Sequence, residues 1–285
     1  MYTSDLYSVL LELRVKHEAT VRGTTGNLTH ALFLNLIKQF DPELSAHLHD
    51  QPGPKPFTAS ALLGVENQSE NISLQSGQIC SLRITLLDGG YLWHRLSTYA
   101  LQTESLQVYL GPTALQVIRM HISAENDPTG WAGTTNWQTL ADLPARQVIT
   151  IQFASPTAFN VGDRAFELLP KPLLIWESLV RVWNAYAPEH LRMEKQTLRT
   201  FLAERVTVLD CNIATTMWHF PRYVQKGFVG TCTYQIQGDA SDSAAHLTTL
   251  AAFARFAGIG YKTTMGMGQA RATLVDDAVT VVAHP

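Results

Sequence analysis

The segment LYSVLLELRV (Leu6–Val15) places apolar residues at every second position along one side. A period of two predicts a β-strand with one buried face. A polar, glycine-containing loop from Lys16 to Gly26 follows, and Asn27 is then a suitable N-cap for a helix that ends near Phe40. The apolar residues of this helix recur at helical spacing: Leu28, Leu32, Phe33, Leu36, Ile37 and Phe40.

The predicted elements after this helix complete a known supersecondary unit. Strands are predicted over residues 57–65 and 79–87, a helix over 90–102, and an extended region over 106–122 that Gly111-Pro112 interrupts. The resulting order, β-α-β-β-α-β, is that of a ferredoxin-like unit.

The second half repeats this order without a sequence repeat that can be aligned. Its predicted elements are a strand over 147–153, helices over 173–187 and 189–202 separated by Pro188, strands over 206–217 and 228–237, a helix over 242–256 and a strand over 269–275. We therefore predict an α+β protein of two tandem ferredoxin-like, RRM-like domains with antiparallel sheets. The predicted boundaries are 1–125 for the first domain, 126–145 for the linker and 146–285 for the second domain.

The composition is that of a folded protein outside the membrane. Of the 285 residues, 46% are hydrophobic and 16% are charged, which excludes a disordered chain. No apolar run reaches the roughly 20 residues that a membrane span requires, and residues 1–5 lack the pattern of a signal peptide. We therefore expect a cytoplasmic protein. The three cysteines are too few and too scattered for a disulfide framework, and they form no metal-binding pair.

The charge distribution is uneven. The net charge of −3 argues against a uniformly basic nucleic-acid-binding body. Three stretches nevertheless concentrate cations: residues 211–238 and 258–275 carry two each and no carboxylate, and residues 14–38 carry four against Glu18 alone. A polyanion would therefore bind along selected strips of the surface.

A glycine-rich segment, GIGYKTTMGMGQAR (Gly258–Arg271), lies between the last predicted helix and the last predicted strand. Its four glycines allow close approach of backbone N–H groups to a ligand, and Lys262 and Arg271 add positive charge, so we expect it to cradle phosphates. It is not a nucleotide-hydrolase P-loop, because Met267 stands where the lysine should follow the second glycine. Since it leads into a strand rather than a helix, it is not a dinucleotide-binding fingerprint either.

Together, several short motifs resemble those of the CRISPR repeat-processing endoribonucleases of the RAMP superfamily. They are HALFL (30–34), KPFT (55–58), WAGTT (131–135), FASPTAF (153–159) and the glycine-rich segment, and they occur in the order of that family over almost the whole chain. The resemblance implies two side-by-side ferredoxin-like domains that bind a CRISPR repeat RNA and cut it once per repeat, without a metal ion or cofactor. It implies that the 2′-hydroxyl attacks the adjacent phosphate and leaves a 2′,3′-cyclic phosphate and a 5′-hydroxyl. Besides the repeat RNA, it implies other subunits of an interference complex as partners.

His30 is the strongest catalytic candidate, because it matches the helix-one histidine of that family. A histidine can serve as base or acid near neutral pH, and the positive end of a helix dipole favours its neutral form. Lys38, eight positions later and about 80° around the helix, is the second candidate, as a cation that stabilises charge on phosphorus. The structural alternatives are a half-buried histidine and a solvated surface lysine.

Six further cations are candidate RNA ligands. Lys55 stands among three prolines, which fix the backbone and pre-position its side chain. Two others occupy a predicted hairpin connection suited to clamping an RNA stem by shape and phosphate. The complete set is Arg22, Lys55, Arg222, Lys226, Lys262 and Arg271.

Two other functions stay open from the sequence. Active members of that family often carry a tyrosine shortly before the helix-one histidine, and residues 14–27 contain none. Together with the acidic net charge, this suggests a non-catalytic repeat-RNA-binding subunit of the same fold as the alternative. A more remote alternative is a nucleotide-binding enzyme that uses the glycine-rich segment.

Overall fold

The N-terminal half of the computed structural model is built on the strand that opens the sequence. Residues 5–66, 71–127, 129–163, 165–238 and 241–274 are described, and only the backbone is described for Arg22 and Asn126. The elements of this half are β1 (Leu6–Val15), β2 (Ala19–Arg22), α1 (Gly26–Phe40), α2 (Pro42–Asp50), β3 (Phe57–Leu63), β4 (Asn71–Leu74), β5 (Ile79–Leu86), α3 (Gly89–Gln102), β6 (Gln107–Leu110) and β7 (Thr113–His121).

β1 lies at the centre of an antiparallel sheet with the strand order β3-β5-β1-β7-β6. The four strands β7-β1-β5-β3 have the order of a ferredoxin-like sheet, and β6 extends it at one edge. The helices α1 and α3 pack on this sheet. The predicted apolar stripes meet there, since Leu11 and Leu13 of β1 are buried in one cluster with Phe33 and Ile37 of α1.

The C-terminal half has the same strand order. Its elements are β9 (Val148–Thr157), β10 (Phe159–Gly162), β11 (Ala165–Glu167), α5 (Pro172–Tyr186), α6 (Lys195–Arg205), β12 (Val206–His219), β13 (Val224–Ile236), α7 (Asp242–Ala257) and β14 (Ala270–Leu274). The sheet order β12-β13-β9-β14 again matches the ferredoxin-like arrangement, so the fold of two such domains is confirmed. Trp176 and Trp183 of α5 are fully buried in its core, as their spacing of seven predicts. Among the described residues, no helix has the length and apolarity to span a bilayer.

Some local predictions are wrong. The loop from Lys16 to Gly26 contains β2, which pairs with β4, because this short ribbon lacks a long alternating pattern. Pro42 begins a further helix, α2, which the sequence pattern did not predict. Asp41 caps it by accepting a hydrogen bond from Leu44 N at 2.9 Å.

Residues 126–145 contain regular structure as well. β8 (Gly133–Thr135) pairs with the first residues of β1, and α4 (Trp137–Ala141) contributes Trp137 to the core of the C-terminal half. The second helix of that half begins at Lys195 rather than at Glu189. Its N-terminus is fixed by Glu194, whose carboxylate accepts hydrogen bonds from Gln196 N and Thr197 N.

A buried arginine joins the two domains. The guanidinium of Arg83 on β5 donates to Ser8 Oγ at 2.8 Å, and it reaches across to the Gln269 side chain and the Arg255 carbonyl. The neighbouring Thr85 Oγ1 donates to the carbonyl of Phe256 at 2.6 Å. Because both acceptors on α7 are backbone carbonyls near its C-terminal end, the negative end of this helix faces the N-terminal sheet.

The glycine-rich segment forms the second junction between the domains. Gly266 N donates to the carbonyl of Ala59 on β3 at 2.9 Å. On the other side of the contact, a Cβ atom added to Gly26 would lie 2.0 Å from the carbonyl oxygen of Met265. Residues 265–266 therefore approach α1 so closely that only a glycine can stand at the start of this helix.

We expect Gly26→Ala to lower the free energy of unfolding by about 1–3 kcal/mol, because the new methyl group must displace the backbone at Met265. Gly90→Ala in α3 is the matched control, since its Cβ would meet no atom within 4 Å. Its effect should stay within about 1 kcal/mol, in the stabilising direction. Urea denaturation of the three proteins measures both, and equal stabilities would contradict the observed packing.

Candidate active site

His30 lies where α1, β3 and the glycine-rich segment meet. It is the fifth residue of α1, and its ring is half-buried. The imidazole stacks on Phe57 of β3 with the ring centroids 5.7 Å apart and the planes 24° from parallel. Its Nδ1 lies 3.2 Å from the carbonyl oxygen of Thr264. Two domains therefore fix the position of one imidazole.

This contact determines which ring nitrogen carries the proton. A carbonyl oxygen can only accept a hydrogen bond, so Nδ1 of His30 must donate to Thr264. In the neutral ring, the proton is then on Nδ1 and the lone pair is on Nε2. The Nε2 atom of His30 is therefore the proton acceptor that the site offers.

The environment keeps this imidazole neutral. Burial is the largest influence, and it lowers the pKa of His30 from its ordinary 6.5. The positive charges of His49, Lys55 and Lys262 lower this pKa further, and the Thr264 carbonyl opposes them. The expected contribution of the helix dipole is smaller, because His30 stands just beyond the first turn, within which that effect is concentrated.

Two of the predicted cations are close enough to His30 to influence its charge. The ammonium group of Lys55 donates to the carbonyl oxygen of His49 at 2.8 Å and to that of Gln51, at the end of α2. Lys262 comes from the glycine-rich segment, two residues before Thr264. Among the described residues neither lysine forms an ion pair with a carboxylate. Within the described part of the chain, their charges are therefore not neutralised by acidic neighbours.

Lys38 is not brought to this point, and the position of the Arg22 side chain is not described. Lys38 is exposed near the C-terminal end of α1, about 12 Å along the helix axis from His30. The backbone of Arg22 ends β2, but its side chain lies outside the described part of the structure. Their roles as catalytic and RNA-binding residues stay predictions.

Arg271 is engaged at the junction of the two domains. It lies on β14, where its Nε donates to Gln152 Oε1 at 2.8 Å and its guanidinium lies 4.8 Å from the ring centroid of Trp131. Arg83 contacts the same indole ring at 4.5 Å. Arg271 thus helps to hold the WAGTT motif against the C-terminal sheet, and its RNA-binding role stays a prediction.

The predicted hairpin connection is present, and it is shorter than expected, because both strands extend further than predicted. β12 and β13 pair along their whole length, and the turn between them, residues 220–223, carries Arg222. Lys226 lies on the first residues of β13, and both cations are exposed. The end of the hairpin is anchored to the N-terminal domain, because Thr24 N donates to the carbonyl of His219 at 3.0 Å.

The glycine-rich segment does not offer its glycine N–H groups to a ligand. Each of the four is donated within the protein: Gly258 to Ala254, Gly260 to Ser178, Gly266 to Ala59 and Gly268 to Pro156. The expectation of a glycine phosphate cradle is therefore wrong. The segment positions Lys262 and the Thr264 carbonyl, and the FASPTAF motif supplies acceptors that hold it, including Ser155 Oγ for Gln269 N at 2.9 Å.

Sequence reasoning missed several members of the site. The Thr264 carbonyl carries no sequence signal, since any residue has one. Phe57 belongs to the KPFT motif, and this pattern could have suggested a partner for His30. Three aromatic residues around Lys262, namely Phe220, Tyr223 and Tyr261, come together only through the docking of the hairpin on the glycine-rich segment.

This arrangement is suited to moving a proton next to an anion. A neutral imidazole with a free Nε2 can accept a proton, and the neighbouring ammonium groups can stabilise negative charge. Among the described residues, no cluster of three or more His, Cys, Asp or Glu side chains is placed to bind a metal ion.

Comparison with known families identifies the two halves separately. Residues 151–270 match the family model described as CRISPR-associated endoribonuclease Cas6, and residues 6–142 match the Cas6 N-terminal domain. The chain belongs to the CRISPR Cas6 family. The N-terminal model covers the first ferredoxin-like domain and the other model covers the second, and together the matches leave only the ends and residues 143–150 uncovered.

Individual Cas6 relatives agree with this assignment. A CRISPR-associated endoribonuclease Cas6 of Streptococcus thermophilus is 29% identical over 119 residues, which are 42% of this chain and 48% of that protein. The match thus spans about half the length of this curated relative. A solved Cas6 product complex has 28% identity and a TM-score of 0.78, covering 94% of this chain and all of that one. Thermus thermophilus Cas6 has 26% identity and a TM-score of 0.72, covering 96% of this chain and all of that one.

Titration of the free protein followed by ¹H–¹⁵N NMR of the histidine rings tests the state of His30. We expect its pKa to lie below 6.5, because burial and the nearby lysines disfavour the imidazolium. At a pH above this pKa, the ¹⁵N shifts of the ring should show the proton on Nδ1, as the contact with Thr264 requires. A pKa above 6.5, or a proton on Nε2, would contradict the site as described. The His30→Ala spectrum supplies the assignment.

Proposed function

We propose that this protein is an endoribonuclease that binds CRISPR repeat RNA and cleaves it by attack of a 2′-hydroxyl on the adjacent phosphate. The observation that carries the proposal is the unprotonated Nε2 of His30, held next to lysines whose charges no carboxylate among the described residues neutralises. The proposal also rests on family membership and on a structural relative solved as a Cas6 product complex.

In the proposed reaction, Nε2 of His30 accepts the proton of the 2′-hydroxyl, and the 2′-oxygen forms a bond to phosphorus. The bond from phosphorus to the 5′-oxygen breaks, and the leaving oxygen takes up a proton from water, while the imidazolium of His30 returns its extra proton to the solvent. The products are a 2′,3′-cyclic phosphate and a 5′-hydroxyl. Each step is proton transfer or displacement at phosphorus, which an imidazole and fixed cations are able to promote.

The neighbouring cations act on the phosphate rather than on the proton. Negative charge grows on the non-bridging oxygens as the pentacoordinate phosphorus forms, and Lys55 and Lys262 are the described lysines whose charge reaches His30. Lys55 is pre-positioned by the carbonyls at the end of α2, so little ordering remains when substrate binds. Lys38 is a further proposed catalytic residue, although the fold places it two helical turns from His30.

The rest of the RNA is proposed to contact the exposed hairpin. Arg222 and Lys226 present two positive charges beyond the anchor at His219, in a stretch without a carboxylate. Arg22 and Arg271 complete the proposed set of RNA ligands. Other subunits of a CRISPR interference complex are proposed as partners, and the cytoplasm stays the predicted location.

Cleavage of the cognate repeat RNA in excess EDTA tests the proposed reaction. We expect the wild type to cut once per repeat and His30→Ala to be slower by about 10²- to 10⁴-fold, because the base is lost. A repeat with a 2′-deoxy sugar at the cut site should bind without being cut. Because burial lowers the pKa of His30, the wild-type rate should decline only below pH 6.5.

His94→Ala is the control, since His94 is exposed on α3 and takes no part in the site. Cleavage that requires an added metal ion, or full activity of His30→Ala, would sink the proposed mechanism. Tight binding of the repeat by the wild type without any product would instead establish a non-catalytic RNA-binding subunit.

The salt dependence of repeat binding tests the hairpin contact. Arg222→Ala and Lys226→Ala should each weaken binding and reduce the slope of log Kd against log salt by about 1, because one phosphate contact is lost. Lys195→Ala removes an exposed charge from α6 and should leave the slope unchanged. If Arg222→Ala and Lys226→Ala both have the same slope as the wild type and Lys195→Ala, the hairpin does not bind phosphates. Filter binding from 50 to 400 mM salt measures the slopes.

A further inference from the structure

The ammonium group of Lys262 is enclosed by three aromatic rings. Its Nζ lies 4.4 Å from the ring centroid of Phe220, 5.2 Å from that of Tyr223 and 5.4 Å from that of Tyr261. A cation is attracted to the face of an aromatic ring within about 6 Å of its centroid. All three distances fall inside this limit, so the rings form one aromatic cage.

The aromatic cage is preorganised by contacts among its own members. Phe220 and Tyr223 stack with their centroids 4.9 Å apart, and Phe220 N donates to the carbonyl of Tyr223 at 2.9 Å. The third ring belongs to Tyr261, the residue that precedes Lys262 in the chain. Phe220 is buried and Tyr223 is 43% exposed, so one wall of the cage is packed in the protein and the other faces solvent.

The backbone conformation of Lys262 also indicates that the cage is preorganised. Its φ of +55° and ψ of +42° are left-handed, which is uncommon for a residue with a Cβ atom. Such a conformation persists only where surrounding contacts over-determine it. Here the chain accepts it between Tyr261 and the 3₁₀ turn at 263–265, and the Lys262 side chain is thereby brought to the cage.

An aromatic cage holds a cation differently from a carboxylate. A carboxylate would fix the ammonium but cancel its charge, whereas ring faces attract it and leave the charge in place. Lys262 stands two residues before Thr264, whose carbonyl oxygen lies 3.2 Å from Nδ1 of His30, so the cage is close to the imidazole. After burial, the positive charge of Lys262 is one of the influences that lower the pKa of His30. The cage therefore holds a charged ammonium near the proposed proton acceptor.

We infer that Phe220 and Tyr223 are positioning residues for cleavage, which hold the Lys262 ammonium beside His30 so that it stabilises the negative charge forming on the scissile phosphate. This inference rests on the proposed function. The cage also links the site around His30 to the proposed RNA-binding hairpin, because the turn at 220–223 both holds Lys262 and carries Arg222. Docking of the hairpin would thus be needed for the cation to be in place.

Single-turnover cleavage by Lys262→Met, Phe220→Leu and Tyr223→Leu tests this role. Lys262→Met should slow cleavage by about 10²-fold, the usual effect of removing one group that stabilises an oxyanion. The leucine variants fill the space without a ring face, and they should be slower by about 10-fold because the ammonium is no longer fixed. Binding of the 2′-deoxy repeat by the two leucine variants should change by less than about 3-fold, since the rings contribute to the rate rather than to affinity.

The double variant Phe220→Leu/Lys262→Met separates positioning from simple loss of structure. If Phe220 acts through Lys262, the double variant should cleave no more slowly than Lys262→Met alone. Phe166→Leu is the matched control, because Phe166 packs on Tyr261 at 5.1 Å without being one of the three rings around Nζ. Additive losses in the double variant, or an equal loss in Phe166→Leu, would overturn the inference.

A second readout needs no RNA and distinguishes failure of the cage from failure of the proposed function. The charges that act on His30 are His49 from α2, Lys55 from the following loop and Lys262. Removing the charge in Lys262→Met, or releasing it in Phe220→Leu, should raise the pKa of His30 as measured by NMR titration. An unchanged pKa of His30 in both variants would overturn the placement of Lys262, whether or not the wild type cleaves RNA.

Discussion

The close approach of residues 264–266 to α1 and β3 is the contact on which the other features of the site depend. It requires a glycine at position 26, and it pairs Gly266 N with the carbonyl of Ala59. The same approach brings the Thr264 carbonyl to Nδ1 of His30. The tautomer of the histidine and the location of Lys262 are therefore set by one segment of backbone, which also contributes to the contact between the two domains.

The second constraint is electrostatic. Lys55 is held by backbone carbonyls, Lys262 by aromatic rings, and Arg83 by a hydroxyl, an amide side chain and a carbonyl. Such partners fix a cation without cancelling its charge. Burial lowers the pKa of Arg83 to about 9, which still leaves it charged at neutral pH. A chain with a net charge of −3 thus keeps positive charge at its domain junction.

The sequence was informative where local physics controls the structure. Alternation in Leu6–Val15 and helical spacing in residues 28–40 predicted β1 and α1, because burial of one face depends on period alone. It failed at β2 and β4, which are too short to show a period, and at α2, whose proline is an N-terminal signal that resembles a stop signal. At the glycine-rich segment the residue types were read correctly as permitting close approach. The predicted hydrogen-bond acceptor was wrong, because the glycine N–H groups donate to protein oxygens rather than to a phosphate.

By itself, the sequence determined the two ferredoxin-like units, the resemblance to the repeat-processing family and the choice of His30 as the residue to examine. These follow from periodicity and short motifs, which are local properties of the chain. Only the tertiary structure decided that Lys55 and Lys262 rather than Lys38 accompany His30, and that Phe220 and Tyr223 enclose Lys262. Those neighbours are separated by up to about 230 positions, and no periodic signal connects residues that meet only when two domains dock.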